Sequence, residues 1–463
     1  MTFWLVIVAG IALLERSLLI LFYQPVAYSD TPSYRRLANT VLQGFANYDG
    51  TRTPGYPVFL ALTGTDQRAW MGQLLLGFIT TLLLFFIAWK LTGLPWFGGV
   101  IALLHSLNLG QLFFESNLLT ESISTFFLIL TMAGTLVWLR YPKSRTIWLS
   151  FLLGLGSAIT LLIRPLFIYL PVLPLVFFWL DSKLSLRGSN QANGEDEEVQ
   201  TVSHIHFSWR FTIAFLVPVV LLFGSWVTFI HKQFHEWALT TMTGYHLVQH
   251  TGNFFEYVPD EYASIRDTYI KYRDAHIAQF GTQTNAIWDA IPEMSKVSGY
   301  SFYALSRVLT RISIQLIEHH PILFLKSAIY GWWMFWRAPV YWSADALKLQ
   351  TAVPVIKTAV QIQRPLIILV NLAFIITSLF FVFTELVALI RRKPALLTAR
   401  FNDHTLYSFA WMLLVNIWIA SILQTLLDHG DNPRFLVPLQ SLVVLWVGIF
   451  GYIMILSLKK RSL

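Results

Sequence analysis

The feature that most constrains this chain is a series of apolar runs, each long enough to cross a bilayer, recurring from one end to the other. A spanning helix needs about 20 consecutive apolar residues, and hydrocarbon admits only helices and closed barrels. The runs read as Phe3–Tyr23, Ala69–Leu91, Trp96–Phe114, Leu118–Leu139, Ile147–Ile163, Leu166–Leu180, Phe211–Ile230, Pro365–Ile390, Leu406–Leu427 and Phe435–Leu456. The expected fold class is therefore an all-α polytopic membrane protein of about ten transmembrane helices. Composition agrees: 55% of residues are hydrophobic and 13% charged, about half the charge of a soluble domain, and the mean hydropathy is +0.57. A water-soluble enzyme and a disordered or fibrous chain are excluded. Cysteine is absent, which removes disulfide and thiolate chemistry.

The basic residues sort by side. Lys90, the group Arg140, Lys143 and Arg145, the group Lys183, Arg187 and Arg210, the group Arg391, Arg392, Lys393 and Arg400, and finally Lys459, Lys460 and Arg461 fall in alternate connections. Cytoplasmic loops collect Lys and Arg, so both termini are expected in the cytoplasm. The first run lacks a basic leader and a cleavage site and reads as a retained span. Residues 181–209, with Glu195-Asp196-Glu197-Glu198, read as a disordered cytoplasmic linker between an N-terminal module (1–180) and a C-terminal one (210–463). Three external segments remain: 24–68, 231–364 and a short loop around His429–Arg434. No N-x-[ST] glycosylation acceptor occurs, which suits a bacterial plasma membrane.

The first external segment carries an expected interfacial helix, capped by Thr31, begun by Pro32 and stopped by Gly44. Its apolar face is Tyr34, Leu37, Ala38, Val41 and Leu42, spaced at helical intervals. Asp30 precedes it, where the helix dipole favours a carboxylate. Arg52-Thr53-Pro54-Gly55-Tyr56-Pro57 follows, a stiff turn offering a guanidinium to phosphate and Tyr56 to the interface. The aromatic stretch 321–342 is expected to lie in the interface or re-enter, because a full span there would invert Arg391–Lys393.

In this order these elements resemble the GT-C glycosyltransferases, and more narrowly the bacterial relatives of protein O-mannosyltransferases and of lipid A aminoarabinose and galacturonic acid transferases. The residues that carry the resemblance are D-x-x-x-Y-x-x-x-A from Asp30, R-x-P-G-Y-P from Arg52, Glu121 in L-L-T-E-S, Arg164-Pro165 after a Gly-containing run, and Asn432-Pro433-Arg434-Phe435-x-x-Pro438. Relatives often have Arg-Tyr where this chain has Arg434-Phe435, and Asp-Glu where it has Asp30-Thr31. The resemblance implies transfer of a sugar, with inversion, from a polyprenyl-phosphate donor to a lipid, glycan or protein acceptor on the outer side. Asp30 is the implied base. Tyr34, Arg52, Tyr56, Glu121, Arg164, Tyr245, His246 and Arg434 are candidates for donor or acceptor binding.

Two histidine pairs, His231/His235 and His246/His250, are spaced i, i+4, a spacing zinc sites use, but H-E-x-x-H is absent. No cofactor is implied, divalent-metal dependence is left open, and no nucleic-acid partner is expected beside membrane lipids. The rival readings are a lipid or glycan transporter or flippase, and a lipid-binding protein without chemistry. Glu15 and Arg16, inside the first run, are expected to find structural partners.

Overall fold

A computed structural model describes residues 1–180, 209–338, 340–391, 404–430 and 432–459. The linker 181–208 and the basic residues 392–400 and 460–461 lie outside the described residues. Among those described, regular structure is entirely helical. The helices are α1 (Thr2–Phe22), α2 (Thr31–Ala38), α3 (Gly55–Thr63), α4 (Asp66–Thr92), α5 (Pro95–Ser106), α6 (Leu109–Phe114), α7 (Glu121–Arg140), α8 (Ile147–Ile163) and α9 (Pro165–Leu180). After the linker come α10 (Trp209–Phe234), α11 (Thr243–Thr251), α12 (Ala263–Phe280), α13 (Ala286–Ser298), α14 (Phe302–His319), α15 (Pro321–Phe335), α16 (Val353–Ile390), α17 (His404–Leu427), α18 (Asn432–Phe435) and α19 (Gln440–Lys459).

Among the described residues, seven segments are long and apolar enough to cross a membrane: α1, α4, α7, α10, α16, α17, and α18–α19 over Asn432–Ile455. The other three expected spans are shorter. The run 96–114 breaks at Leu107–Asn108, where the Asn108 side chain accepts from the Gly110 N–H and caps α6. Gln363 of α16 fills the gap, accepting from the Leu109 N–H and donating to the Leu107 carbonyl. Helix α8 has 17 residues, and α9 opens as a 3-10 turn over Pro165–Tyr169.

One apolar core runs through α4, α5, α7, α8, α9, α10, α16, α17 and α19, so it draws on both sides of the linker. Gly154 makes this closeness feasible: a β-carbon there would collide with the Phe215 carbonyl of α10. Arg16 finds its partners inside the bundle. It pairs with Glu115 at 2.5 Å and Glu15 at 3.4 Å and donates to Ser106 at 3.0 Å. Gly77 leaves the room that the Glu115 carboxylate occupies.

The segment 231–364 is more than a loop. Helices α11–α14 close around their own core, including Tyr245, Val248, Phe255, Tyr269, Met294 and Leu309. Helix α15 has 15 residues, and its aromatics divide: Tyr330 and Trp333 are exposed, while others pack inward. Phe335 and Trp336 are buried, Trp336 stacks on Phe374 and Trp332 stacks on Trp418.

Candidate functional site

The interfacial helix is shorter than its sequence pattern, and Asp30, not Thr31, takes its N-cap position. The Thr31 hydroxyl instead accepts from the Tyr28 N–H and donates to the Leu118 carbonyl, tying α2 to the start of α7. Gly44, at φ +66°, closes a separate 3-10 turn over Val41–Gln43. Leu42, placed on the apolar face by spacing, is exposed.

Freed from capping, the Asp30 carboxylate meets two guanidiniums. Arg52 Nη2 donates to Oδ1 at 2.7 Å and Arg434 Nη2 donates to Oδ2 at 2.8 Å. Burial pushes the Asp30 pKa up, but the Arg52 and Arg434 charges and hydrogen bonds outweigh it and hold it down at about 2. Arg52 is aimed by Ser33, whose hydroxyl accepts from Nε at 2.8 Å, and its guanidinium lies 4.9 Å from the Tyr34 ring centre.

A second carboxylate repeats the arrangement. Glu121, fully buried at the N-terminus of α7, lies 2.7 Å from Arg434 Nε and 3.2 Å from Arg164 Nη1. Arg164 is the C-cap of α8, and its extended backbone (φ −137°, ψ 113°) is what the following Pro165 imposes. Its guanidinium covers the Phe435 ring at 4.4 Å. Four chain segments thus deliver three arginines and two carboxylates to one place. With all five charged, the cluster carries one net positive charge.

The close approach of these segments depends on glycines. Gly55 abuts the end of α8, bringing the Arg52 turn to Arg164. Gly50, at φ +82°, abuts Thr241, whose N–H donates to the Gly50 carbonyl at 2.8 Å. Segment 24–68 is thereby fastened to segment 231–364.

A cavity of about 300 Å³ opens against the cluster. Tyr34, Arg52, Arg164 and Arg434 line it, with Asp30 and Glu121 paired to those arginines. The lining also takes in residues of 238–247, including His246, and Asp428 at the end of α17. His246 Nδ1 lies 2.9 Å from Asp428 Oδ2, and Asp428 Oδ1 accepts from the Gly430 N–H at 2.8 Å. Ile168 of α9, and Leu423 and Leu427 of α17, form an apolar edge. The same two helices continue away from it as a larger apolar cavity of about 850 Å³, lined by Val172, Val176 and Leu180 on α9 and Trp411, Val415 and Ile419 on α17.

Of the nine sequence candidates, Asp30, Arg52, Glu121, Arg164 and Arg434 form the cluster, and Tyr34 and His246 face its cavity. Tyr56 is buried behind Tyr34, edge to face at 5.0 Å, with its hydroxyl donating to Gln73 at 2.9 Å. Tyr245 points into the α11–α14 core and donates to the Phe302 carbonyl at 2.6 Å. Neither lines the cavity. Ser33 and Asp428 were not singled out by sequence, and a lone Ser or Asp outside any motif carries no signal that would do so. The histidines disperse: His250 meets Ser327 at 3.0 Å and the His429 ring at 4.8 Å, while His246 turns to the cavity. Among the described residues no three His, Asp or Glu side chains gather as a metal site.

Compared with known proteins, the chain matches no family model, no curated protein and no solved structure.

Proposed function

We propose that the protein is a membrane glycosyltransferase that moves a sugar from a polyprenyl-phosphate carrier to an acceptor on the outer side of a bacterial plasma membrane. One observation carries the reading: a cationic cavity faced by three arginines adjoins, along the same two helices, an apolar groove between α9 and α17. A polyprenyl-phosphate sugar is a phosphodiester with one negative charge and a long apolar tail. The cluster's single surplus positive charge matches the first, and the groove suits the second. Together the two cavities follow α17 from Leu427 to Tyr407, about 30 Å at 1.5 Å per residue, roughly the thickness of bilayer hydrocarbon.

During transfer the acceptor hydroxyl attacks the anomeric carbon as the bond to phosphate breaks. The lipid monophosphate leaves with a second negative charge, which preorganised guanidiniums stabilise without rearranging. Asp30 and Glu121 hold those guanidiniums in place. Asp30, the base that the resemblance implies, has both carboxylate oxygens engaged by Arg52 and Arg434. The alternating basic residues support an arrangement with both termini cytoplasmic and the cavity external.

The test is reconstitution in vesicles with radiolabelled undecaprenyl-phosphate hexoses and pentoses and a bacterial lipid and glycan extract. Labelled product that disappears with Arg434→Leu is the expected result. Label that crosses the membrane with its carrier bond intact, in the absence of product, would establish the transporter reading instead.

A further inference from the structure

We propose that His246, oriented by Asp428, is the group that takes the proton from the acceptor hydroxyl, in the transfer reaction proposed above. Displacement with inversion puts the incoming oxygen on the face of the sugar opposite the departing phosphate. A phosphate held by Arg52 and Arg434 is bound by the same two side chains that occupy both oxygens of Asp30, which keeps that carboxylate on the leaving side. Neither carboxylate of the cluster lines the cavity, whereas His246 and Asp428 both do, on walls supplied by α11 and the end of α17.

The geometry of this pair is that of an oriented imidazole. Asp428 at 2.9 Å fixes Nδ1 as the protonated nitrogen and leaves Nε2 with its lone pair. Asp428 is itself held by the Gly430 N–H through its other oxygen and, through its backbone carbonyl, by Gln424 at 3.1 Å. The Trp288 ring of α13 stands edge-on to the imidazole at 5.9 Å. Asp428 is the ionisable group in contact with His246. His250 lies one turn on along α11, and Tyr34, Arg52, Arg164 and Arg434 share the cavity.

The step balances as follows. The acceptor O–H proton passes to Nε2 as its oxygen bonds to the anomeric carbon. The electron pair of the breaking carbon–oxygen bond stays on the lipid phosphate. The imidazolium formed is neutralised by Asp428, and its proton leaves to solvent after product release. A positioned base of this kind contributes about 10²–10⁴-fold.

The experiment uses the full chain in nanodiscs and follows transfer from undecaprenyl-phosphate sugars between pH 4.5 and 8.5. Binding of undecaprenyl phosphate alone is measured in parallel by tryptophan fluorescence. His246→Gln should lower kcat at least about 100-fold while undecaprenyl phosphate affinity stays within about twofold. Asp428→Asn, which removes the group that orients the ring, should lower kcat about tenfold or more with undecaprenyl phosphate affinity unchanged. Should His246→Gln fail to fold, this split between kcat and affinity in Asp428→Asn decides the matter. The proposal is overturned if His246→Gln transfers near the wild-type rate. It is overturned equally if Asp428→Asn keeps the wild-type kcat and Asp30→Asn abolishes kcat with binding intact; in either case sugar transfer itself stands. Wild type that neither transfers nor binds undecaprenyl phosphate overturns both this role and the function on which it rests.

Discussion

Gly55 lies against Ile163: a β-carbon on Gly55 would come within 2.6 Å of the Ile163 amide nitrogen. That contact joins the turn bearing Arg52 to the helix end bearing Arg164. Backbone cannot move aside as a side-chain tip can, so Gly55→Ala must push the two segments apart. The expected result is about a tenfold or greater loss in undecaprenyl phosphate affinity, from the misplacement of one charged hydrogen-bonding group, with Arg52 withdrawn from Asp30. Fluorescence titration of the variant checks it, and unchanged affinity would show that the turn carries no role in binding.

Arg434 is the one arginine that touches both carboxylates, at 2.8 Å from Asp30 and 2.7 Å from Glu121. Arg434→Leu should therefore cost more than Arg52→Leu: it removes a phosphate-facing cation and leaves Glu121 buried with Arg164 alone. Binding of undecaprenyl phosphate should weaken about 10- to 100-fold, and Arg434→Lys, a point charge without the fork, should recover only part of it. Equal losses in the two leucine variants would contradict the bridging role.

Inside the bundle, Gly77 gives its space to the Glu115 carboxylate that neutralises Arg16. Gly77→Ala should lower stability by about 1–3 kcal/mol through overpacking, read as a lower melting temperature in detergent. Because this cluster sits apart from the cavity, undecaprenyl phosphate affinity of the surviving folded protein should stay the same.

Acid should loosen the external helices before it dissolves the arginine cluster. Burial, helped by the neighbouring His429, pushes His250 down to about 3, and burial pushes His429 down too. A histidine depressed in the folded state is stabilising above its unfolded pKa, and that stability is lost as pH falls toward the folded value. Asp30, held at about 2, keeps its contribution until pH falls below the ordinary carboxylate range. The melting temperature should thus fall between pH 6.5 and 4, and His250→Asn should flatten the fall. A slope unchanged in that variant would place the sensitivity elsewhere.

How much of this was legible in the sequence differs by level. Apolar runs gave the helical membrane class because hydropathy over some 20 residues is a local property. The break at Asn108 was hidden, since one polar residue in an apolar run reads as tolerated until its capping bond and the clamp from Gln363 are seen. At the site, the order of motifs placed Asp30, Arg52, Glu121, Arg164 and Arg434 on one side, but their pairing joins residues hundreds of positions apart and no spacing encodes it. Tyr245 and His246 make the point at its sharpest. Both were candidates and they are neighbours in the chain, yet the first enters the α11–α14 core and the second faces the cavity, because adjacent helical residues point about 100° apart. Sequence located the segment; only packing chose the residue.

The bond between Arg434 and Asp30 also bears on how the protein is made. Synthesis runs from the N-terminus, so Asp30 and Arg52, then Glu121 and Arg164, can pair while the ribosome is still working. Those four charges sum to zero. The surplus cation arrives with α18, more than 260 residues after the first four are in place. A nascent chain therefore presents a neutral half-site, which gains its net positive charge only once α18 has been made and packed against the earlier helices.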